Sequence, residues 1–395
     1  MIPRKAENTL LEMAKGYYVL VVTGPRQSGK TTLVRHLFRD KEYVTLEDPD
    51  EREFAEQDPK RFLARFPDGA VLDEVQRCPD LFSYLQGRVD QDRIPGQFVL
   101  TGSQQFGLIS RITQSLAGRA GLLELLPFSL AELREAGCDP VTVDELLFNG
   151  LYPPLYDRPL LPTNWYKSYV QTYVERDVRQ ILAVKDLSCF QRFIRMCAAR
   201  TGQLLNLSNM AGDCGITHNT AKAWISVLEA SYIIFLLRPH FSNYNKRLVK
   251  TPKLYFADTG LAAWLLGIRD TDQLSIHPSR GPLFENWVII ELTKILYNQG
   301  RESNLFFWRD NSGNEIDVIR DCETRLFPVE IKSGQTVRQE AFAGLKKWLT
   351  LAGDDAGTAA LCYGGNDAYV RSGVSVIPWQ EIERIPGLQN NEQAG

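Results

Sequence analysis

The sequence lacks long apolar runs, paired cysteines and clustered histidines, and each absence excludes a class of protein. No stretch approaches the roughly 18 consecutive apolar residues of a membrane-spanning helix, so we expect no membrane partner. The seven cysteines contain no C-x-x-C pair and the four histidines are scattered, so a structural zinc site is not expected. No apolar core of a secretion signal follows Met1. An odd number of cysteines without a framework is typical of a reducing compartment, and we therefore expect a cytoplasmic protein.

Neither sign of charge is in excess. The chain carries 45 Lys and Arg against 48 Asp and Glu, which gives a formal net charge of −3. Overall charge therefore neither favours nor excludes a nucleic-acid partner, and only local clusters can decide. A length of 395 residues with 44% hydrophobic residues is typical of a globular protein of two to four domains.

A glycine-rich turn follows an apolar run near the start of the chain. The residues from Gly24 to Thr31 match G-x-x-x-x-G-K-[ST], with a strand predicted before them and a helix after them. In this motif the backbone N–H groups bind phosphate oxygens, the lysine reaches the β- and γ-phosphates, and the hydroxyl binds Mg²⁺. The sequence thus predicts a P-loop that binds a nucleotide through Gly24, Pro25, Arg26, Gln27, Ser28, Gly29, Lys30, Thr31 and Thr32.

Two carboxylates follow the next strongly apolar stretch, Ala-Val-Leu. Asp73 and Glu74 end a predicted strand 43 residues after Lys30. At that place Asp73 would hold Mg²⁺ together with Thr31, and Glu74 would activate the attacking water. A helix cap is the structural alternative for this Asp-Glu pair. A further strand ends in Thr101-Gly102-Ser103, and either hydroxyl is a candidate γ-phosphate contact, with ordinary turn chemistry as the alternative.

The ordered set of these motifs resembles one family over nearly the whole chain. The P-loop, L-D-E-V-Q, L-T-G-S, S-L-A-G-R and P-F-S-L-A-E together are similar to prokaryotic AAA+-type ATPases whose C-terminal half is a domain of unknown function. The resemblance implies ATP and Mg²⁺ as cofactors. It also implies that Arg119 senses the γ-phosphate or acts as an arginine finger, either within the chain or across a subunit boundary. By analogy with arginine fingers we expect a homo-oligomer. A surface loop arginine is the alternative.

The middle of the chain predicts a helical connector and a winged helix. The connector is broken by a Gly/Pro cluster from Asn149 to Pro154. Residues 206–228 then predict two helices around a Cys-Gly-Ile turn, and two strands follow, which is the order of a winged helix. The segment from Arg238 to Ala257 has aromatic and basic residues but no acidic ones, as expected of a DNA-contacting wing, namely Arg238, Phe241, Tyr244, Lys246, Arg247, Lys250 and Lys253. A protein-interaction role is the alternative.

Four polar residues in the last third follow the pattern E…D-x₁₂-E-x-K. Glu285 is predicted in the first turn of a buried helix, and Asp317 and Glu330 on adjacent strands. Lys332 shares a face with Glu330, because side chains alternate along a strand. The pattern resembles the αβββα fold of PD-(D/E)xK nucleases, which implies that the three carboxylates hold a metal ion while Lys332 assists cleavage. A surface ion pair, or an intact fold without cleavage activity, are the alternatives.

We therefore expect an α/β protein with an AAA+-type P-loop core over residues 1–135. A connector or lid-like region over 136–200, a winged helix over 201–270 and a nuclease-like domain over 275–388 would follow. The predicted function is Mg²⁺-dependent ATP hydrolysis that changes the conformation of a DNA-binding module. A regulatory ATPase with a protein partner is the alternative. A small-molecule phosphotransferase is disfavoured, because no phosphoacceptor site is visible.

Overall fold

The computed structural model describes residues 1–103, 112, 114–174, 187–240 and 249–388, and all structural statements concern these residues. They form two sheets with helices packed around them. The strands are β1 (Val19–Thr23), β2 (Glu42–Thr45), β3 (Ala70–Asp73), β4 (Phe98–Gly102), β5 (Ala120–Glu124), β6 (Ile234–Pro239), β7 (Lys253–Phe256), β8 (Leu305–Arg309), β9 (Glu315–Asp321), β10 (Leu326–Lys332), β11 (Ala360–Tyr363), β12 (Tyr369–Arg371) and β13 (Val374–Pro378).

Helices connect and cover the strands. They are α1 (Glu7–Gly16), α2 (Lys30–Leu37), α3 (Pro49–Gln57), α4 (Pro59–Ala64), α5 (Leu81–Asp92), α6 (Leu130–Glu135), α7 (Val143–Asn149), α8 (Pro154–Asp157), α9 (Pro162–Tyr169), α10 (Leu187–Ala199), α11 (Leu207–Cys214), α12 (His218–Ala230), α13 (Thr259–Leu265), α14 (Thr271–Ser275), α15 (Arg280–Asn298) and α16 (Ala343–Ala352). None of the helices in the described residues is long and apolar enough to cross a membrane.

The N-terminal sheet is parallel, with strand order β2-β3-β4-β1-β5. Its three inner strands are buried along their whole length, which is why they are continuous apolar runs in the sequence. Separate apolar clusters cover the two faces of the sheet. The carboxyl ends of β1, β3 and β4 meet at one edge, so the P-loop, Asp73 and Thr101 lie near each other. The predicted α/β class is confirmed.

The Gly/Pro cluster of residues 149–154 is packed between other parts of the chain. Gly150 has φ +65°, and a Cβ atom built on it would lie 2.1 Å from Tyr166 Oη and 2.3 Å from Asp258 Oδ1. The buried Asp258 carboxylate accepts hydrogen bonds from Leu151 N (2.8 Å) and Tyr166 Oη (2.6 Å). The cluster therefore connects the connector helices firmly to the segment that follows β7.

The hairpin of β6 and β7 belongs to the C-terminal sheet. This eight-stranded mixed sheet has the order β12-β13-β11-β10-β9-β8-β6-β7. Strand β6 pairs antiparallel with β7 and parallel with β8, through Arg238 and Pro239. The segments predicted as winged helix and nuclease-like domain thus share one sheet. The long helix α15 lies across it and is buried around most of its circumference, including the polar side chains Asn286, Glu291 and Lys294.

Candidate active site

The P-loop has a backbone that only certain residues can adopt. Gly24 has φ +145°, and a Cβ atom there would lie 2.1 Å from the carbonyl oxygen of Leu125, so a side chain is excluded. Gln27 and Gly29 also have positive φ, +66° and +92°. Alternation between right- and left-handed backbone turns consecutive N–H groups toward one point, which is the geometry of an anion-binding nest. Helix α2 begins immediately afterwards at Lys30.

Lys30 lies at the base of the cleft and contacts the loop itself. Its Nζ donates to the carbonyl oxygens of Gly24 (3.0 Å) and Pro25 (2.7 Å). The side chain is buried, and this burial lowers the pKa of Lys30 to about 8, although Glu74 and Asp73 act in the opposite direction. The ammonium is therefore held close to the anion-binding nest in a partly desolvated state.

Asp73 is the centre of a group of hydroxyl side chains. Its Oδ2 accepts from Thr31 Oγ1 (3.0 Å) and from Tyr43 Oη (2.6 Å), and its Oδ1 accepts from Thr101 Oγ1. Thr101 therefore positions Asp73, which was not among its predicted roles. A carboxylate beside a threonine hydroxyl is a set of hard oxygen donors that fits Mg²⁺. The structure thus brings together the two residues predicted to hold the metal ion.

Glu74 follows with a strained backbone. Its φ of +55° and ψ of +42° place it in the left-handed region, which costs a non-glycine residue about 1–3 kcal/mol. Its Oε2 accepts from Ser103 Oγ (3.3 Å) and from Gln76 Nε2. Strain of this kind is concentrated at functional sites. Ser103 and Glu74 therefore lie together at the same edge of the sheet as Asp73.

The opposite wall of the cleft comes from the connector. The cleft has a volume of about 460 Å³ and is lined on one side by the P-loop, Asp73 and Glu74. Gln27 Nε2 donates to Tyr173 Oη (2.9 Å), and the Arg26 guanidinium lies 5.5 Å from the Tyr173 ring centre. Sequence reasoning missed this wall, because no local pattern shows that these residues face the P-loop: Pro153, Pro154, Asp157, Arg158 and Tyr173.

Arg119 lies at the other end of the sheet. It precedes β5, whose first residue Ala120 pairs with Val19, whereas the P-loop follows Thr23 at the opposite end of β1. With about 3.3 Å per residue, the strand length separates Arg119 from the P-loop by more than about 13 Å. Its Nε and Nη2 atoms bind Asp90 at 2.5 and 2.8 Å. The structure corrects the expectation that Arg119 faces the γ-phosphate of its own chain; a role across a subunit boundary stays a prediction.

Arg4 is a second residue that sequence reasoning missed. It is buried behind the P-loop and donates to the carbonyl oxygens of Ser28 (2.7 Å, from Nη1) and Leu126 (2.7 Å, from Nη2). Its Nε lies 3.1 Å from Glu132 Oε1. No motif marks it, since its importance depends on partners as far away as residue 132. The arginine is not part of the cleft lining and holds the P-loop through the Ser28 carbonyl.

In the C-terminal sheet, Asp317 and Glu330 lie side by side on β9 and β10. Asp317 Oδ2 accepts from Ile331 N (2.8 Å), and Lys332 Nζ lies 2.6 Å from Glu330 Oε1 and 4.0 Å from Asp317 Oδ2. Burial, and then the charges of Glu330 and Glu285, raise the pKa of Asp317 well above its usual range. Burial also raises the pKa of Glu330. The predicted proximity of these three side chains is therefore present in the structure.

Glu285 has other partners. It lies in the second turn of α15, not in the first, because the helix begins at Arg280. Its Oε1 accepts from Lys253 Nζ (3.0 Å) and from Tyr255 Oη (2.5 Å). Among the residues described, no three His, Cys, Asp or Glu side chains surround a position suitable for a metal ion. Glu285, Asp317 and Glu330 therefore do not fit a ready metal site in this arrangement.

The predicted DNA-contacting surface is only partly described. The exposed side chains at the start of α12 include Thr217, His218, Asn219 and Lys222, and Arg238 and Lys250 are exposed on the hairpin. Lys253, expected among the wing residues, is buried and paired with Glu285 and Glu315, so it is not available to DNA. Four residues of the predicted wing lie outside the described residues, namely Phe241, Tyr244, Lys246 and Arg247.

Three family matches divide the chain. Residues 16–134 match an AAA domain, residues 140–272 match a domain of unknown function (DUF8612), and residues 280–382 match a second domain of unknown function (DUF4143). The AAA match agrees with the P-loop and the parallel sheet. The chain thus contains an AAA-type ATPase domain, and the resemblance to AAA-type ATPases is confirmed for this part.

Two solved structures are similar to this chain at low sequence identity. The Walker-type ATPase PABY2304 of Pyrococcus abyssi is 15% identical with a TM-score of 0.46, over 67% of this chain and 96% of that chain. The Holliday junction branch migration motor RuvB of Thermotoga maritima is 18% identical with a TM-score of 0.30, over 59% of this chain and 87% of that chain.

Sequence relatives are closer. The uncharacterized proteins Rv2008c of Mycobacterium tuberculosis and Mb2031c of Mycobacterium bovis are each 32% identical over 323 residues, which is 80% of this chain and 71% of theirs. Identity at this level over most of both chains shows common descent. The chain belongs to the same family as these two mycobacterial proteins.

Proposed function

We propose that the chain hydrolyses ATP with Mg²⁺ in the cleft between the P-loop and the connector. The observation that carries the proposal is the Asp73 group: Thr31 Oγ1 lies 3.0 Å from Asp73 Oδ2, beside an ammonium already placed by the P-loop carbonyls. Phosphoryl transfer needs positioning and charge stabilisation more than covalent chemistry. The residues at this edge of the sheet supply both.

The proposal assigns separate roles to the charged and hydroxyl residues at the P-loop edge of the cleft and to Arg158. The P-loop N–H groups that follow Pro25, together with the Lys30 ammonium, bind the phosphates, while Thr31 and Asp73 hold Mg²⁺, which when bound neutralises phosphate charge. Glu74 accepts a proton from the attacking water, and Ser103 keeps its carboxylate in place through the 3.3 Å contact. Arg158 is the arginine that the connector contributes to the cleft wall, and we assign it the γ-phosphate.

We further propose that nucleotide-driven movement of the connector acts on a DNA-binding module. The support is the helix pair α11–α12, in which α12 has an exposed polar first turn and is followed by the β6–β7 hairpin with exposed Arg238 and Lys250. This order of elements is that of a winged helix. The loss of Lys253 from the exposed set weakens the electrostatic part of this proposal, and a protein partner is the alternative.

The test is steady-state ATP hydrolysis with and without double- and single-stranded DNA, at low and moderate salt. Lys30→Ala serves as the blank. Stimulation by DNA that falls as salt rises would support the proposal, because phosphate contacts are salt-dependent. Lys222→Ala should then reduce the stimulation, whereas Lys346→Ala, an exposed helical lysine on α16, should not. Hydrolysis that DNA does not change at any salt would exclude the DNA partner and favour a protein partner.

A further inference from the structure

One lysine lies inside the carboxylate cluster of the C-terminal sheet. Lys253 is 3% exposed, and its Nζ lies 3.0 Å from Glu285 Oε1 and in contact with Glu315 Oε1. Its side chain starts on β7, at the edge of the sheet, and passes over the Phe307 ring on β8 at 5.5 Å from the ring centre to reach Glu315 on β9. The Lys253 side chain thus extends across the sheet toward the carboxylates, whereas an exposed lysine would extend toward water.

The cluster as a whole contains nearly as many cations as anions. Its four carboxylates belong to Glu285, Glu315, Asp317 and Glu330, and its three cations to Lys253, Arg309 and Lys332. Arg309 Nη1 lies 3.1 Å from Glu315 Oε2, and Lys332 lies beside Glu330. The negative charge that would attract a divalent ion is therefore mostly compensated from within the chain.

Two of the carboxylate oxygens that a metal ion would need are already hydrogen-bonded, whereas the buried Glu330 Oε2 has no hydrogen-bond partner among the described residues. Glu285 Oε1 accepts from both Lys253 and Tyr255, and Asp317 Oδ2 accepts from Ile331 N. A divalent ion bound to Glu285 would lie within a few ångströms of the Lys253 ammonium, where two cations repel each other strongly in a desolvated site. An ammonium and a metal ion cannot share this position.

We propose that Lys253 is an internal cation that takes the place of a divalent metal ion in this cluster, so that the C-terminal domain is held together without metal and is closed to metal-dependent cleavage in this state. The proposal goes beyond ATP hydrolysis and does not depend on it. It assigns the hairpin strand β7 the role of closing the cluster. The carboxylates of Asp317 and Glu330, which lie next to Lys332, then stabilise the pairing of β9 with β10.

The experiment is a calorimetric titration of the full chain with Mn²⁺ alone, without nucleotide. Thermal unfolding of the same samples shows whether each variant is folded. Two variants open the cluster. Lys253→Met removes the internal cation, and the double variant Lys253→Met/Glu315→Gln removes it together with the charge of one partner, so that Glu285 is the one partner of Lys253 that keeps its charge, while Asp317 and Glu330 also remain. Lys250→Met, an exposed lysine three residues earlier, is the matched control.

In the wild type and in Lys250→Met, we expect no Mn²⁺ binding of the kind that Asp317→Asn would remove. In at least one opened variant that unfolds cooperatively, we expect Mn²⁺ to bind at least tenfold more tightly than in the wild type, and Asp317→Asn added to that variant should abolish the gain. Asp317-dependent Mn²⁺ binding by the wild type would overturn the proposal. Folded opened variants without any gain would overturn it as well. If neither opened variant folds, the wild-type titration decides: absence of Asp317-dependent Mn²⁺ binding supports the proposal, and its presence overturns it.

Discussion

At the nucleotide cleft, the fold changes the pKa of Lys30. Burial lowers its pKa to about 8, against 10.5 for a free lysine. Below that pH the ammonium is charged and binds phosphate; above it the nucleotide-free protein carries a neutral amine. A bound triphosphate restores the charged form, because opposite charge raises the pKa of an amine. Nucleotide binding and protonation of Lys30 are therefore linked.

We predict that nucleotide binding at pH 8.5 takes up about three quarters of a proton, because most Lys30 side chains are neutral there before binding. At pH 7 the uptake by this group should be close to zero. The measurement is calorimetric titration in buffers of different ionisation enthalpy. Lys30→Arg, which stays charged at both pH values, should show no such uptake. The same proton uptake in the wild type and in Lys30→Arg would refute the assignment to Lys30.

Arg4 acts on the P-loop without reaching the nucleotide. Its fork donates to the carbonyl oxygens of Ser28 and Leu126, while its Nε lies beside Glu132. A lysine at this position would keep the charge but could not bind both carbonyls in the same geometry. The arginine is therefore a positioning residue, whose effect should be visible in binding.

We predict that Arg4→Lys weakens nucleotide binding by about tenfold, roughly the contribution of one charge-assisted hydrogen bond. Glu132→Gln is the matched variant. It removes the ion pair but keeps both carbonyl contacts of Arg4, so nucleotide affinity should stay near that of the wild type. Fluorescence titration with a labelled nucleotide and thermal unfolding measure the two effects. If affinity falls in proportion to the loss of stability in both variants, Arg4 is merely structural.

At the scale of elements, the segment before α8 forms the wall of the cleft only because distant residues hold it. Gly150 leaves room for Tyr166 and Asp258, and the N–H of Leu151 binds Asp258. A side chain at position 150 would displace this group and, with it, Pro153 and Pro154.

We predict that Gly150→Ala destabilises the chain by at least about 2 kcal/mol, since it combines a positive φ with overpacking. Gly87→Ala is the control, because Gly87 lies in α5 with no atom within 4 Å of the added Cβ. That control should stabilise by up to about 1 kcal/mol. Urea unfolding followed by circular dichroism measures both. Equal stability of Gly150→Ala and the wild type would contradict the packing described here.

The elements that the sequence predicts well are those whose signal is local. Strands β1, β3 and β4 are apolar runs with Gly24, Asp73 and Thr101 at or next to their carboxyl ends. The carboxyl ends of parallel strands meet at one edge, so this half of the site follows from the pattern. The connector wall has no local signal, because its position depends on Asp258, more than a hundred residues later. Lys253 shows the same limit: sequence alone does not distinguish a wing lysine from a buried one.

At the scale of the whole molecule, the ATPase sheet and the C-terminal sheet are joined by polar contacts. Leu130 N donates to Glu291 Oε1 (2.5 Å), and Lys294 Nζ donates to the carbonyl oxygen of Phe128 (2.8 Å), so α15 is fastened to the segment after β5. Tyr232 Oη donates to Glu124 Oε1 at 2.9 Å and lies 2.9 Å from Thr23 Oγ1, at the end of β1. Residues next to the P-loop are therefore in direct contact with the C-terminal half, so a movement of the P-loop can be passed on to it.

Arg119 is far from the nucleotide site of its own chain, so a role in hydrolysis would require a second subunit, and this can be tested. Arg119 lies on the surface at the far end of the sheet, paired with Asp90. If it acts as an arginine finger, it must act on the cleft of another subunit. We predict that Arg119→Ala and Lys30→Ala are each nearly inactive in ATP hydrolysis, and that mixing them restores activity. In a random mixture about one site in four combines an intact Lys30 with an intact Arg119 from its neighbour.

Restored activity near a quarter of the wild-type rate, rising with protein concentration, would place Arg119 at a subunit boundary. Arg134→Ala, which removes another exposed arginine of the same domain, should behave as the wild type. Full activity of Arg119→Ala alone would instead show that Arg119 only holds Asp90 on α5. In that case Arg158, the arginine of the cleft wall, would be the charge that a triphosphate meets, and the ATPase would need no second subunit to complete its site.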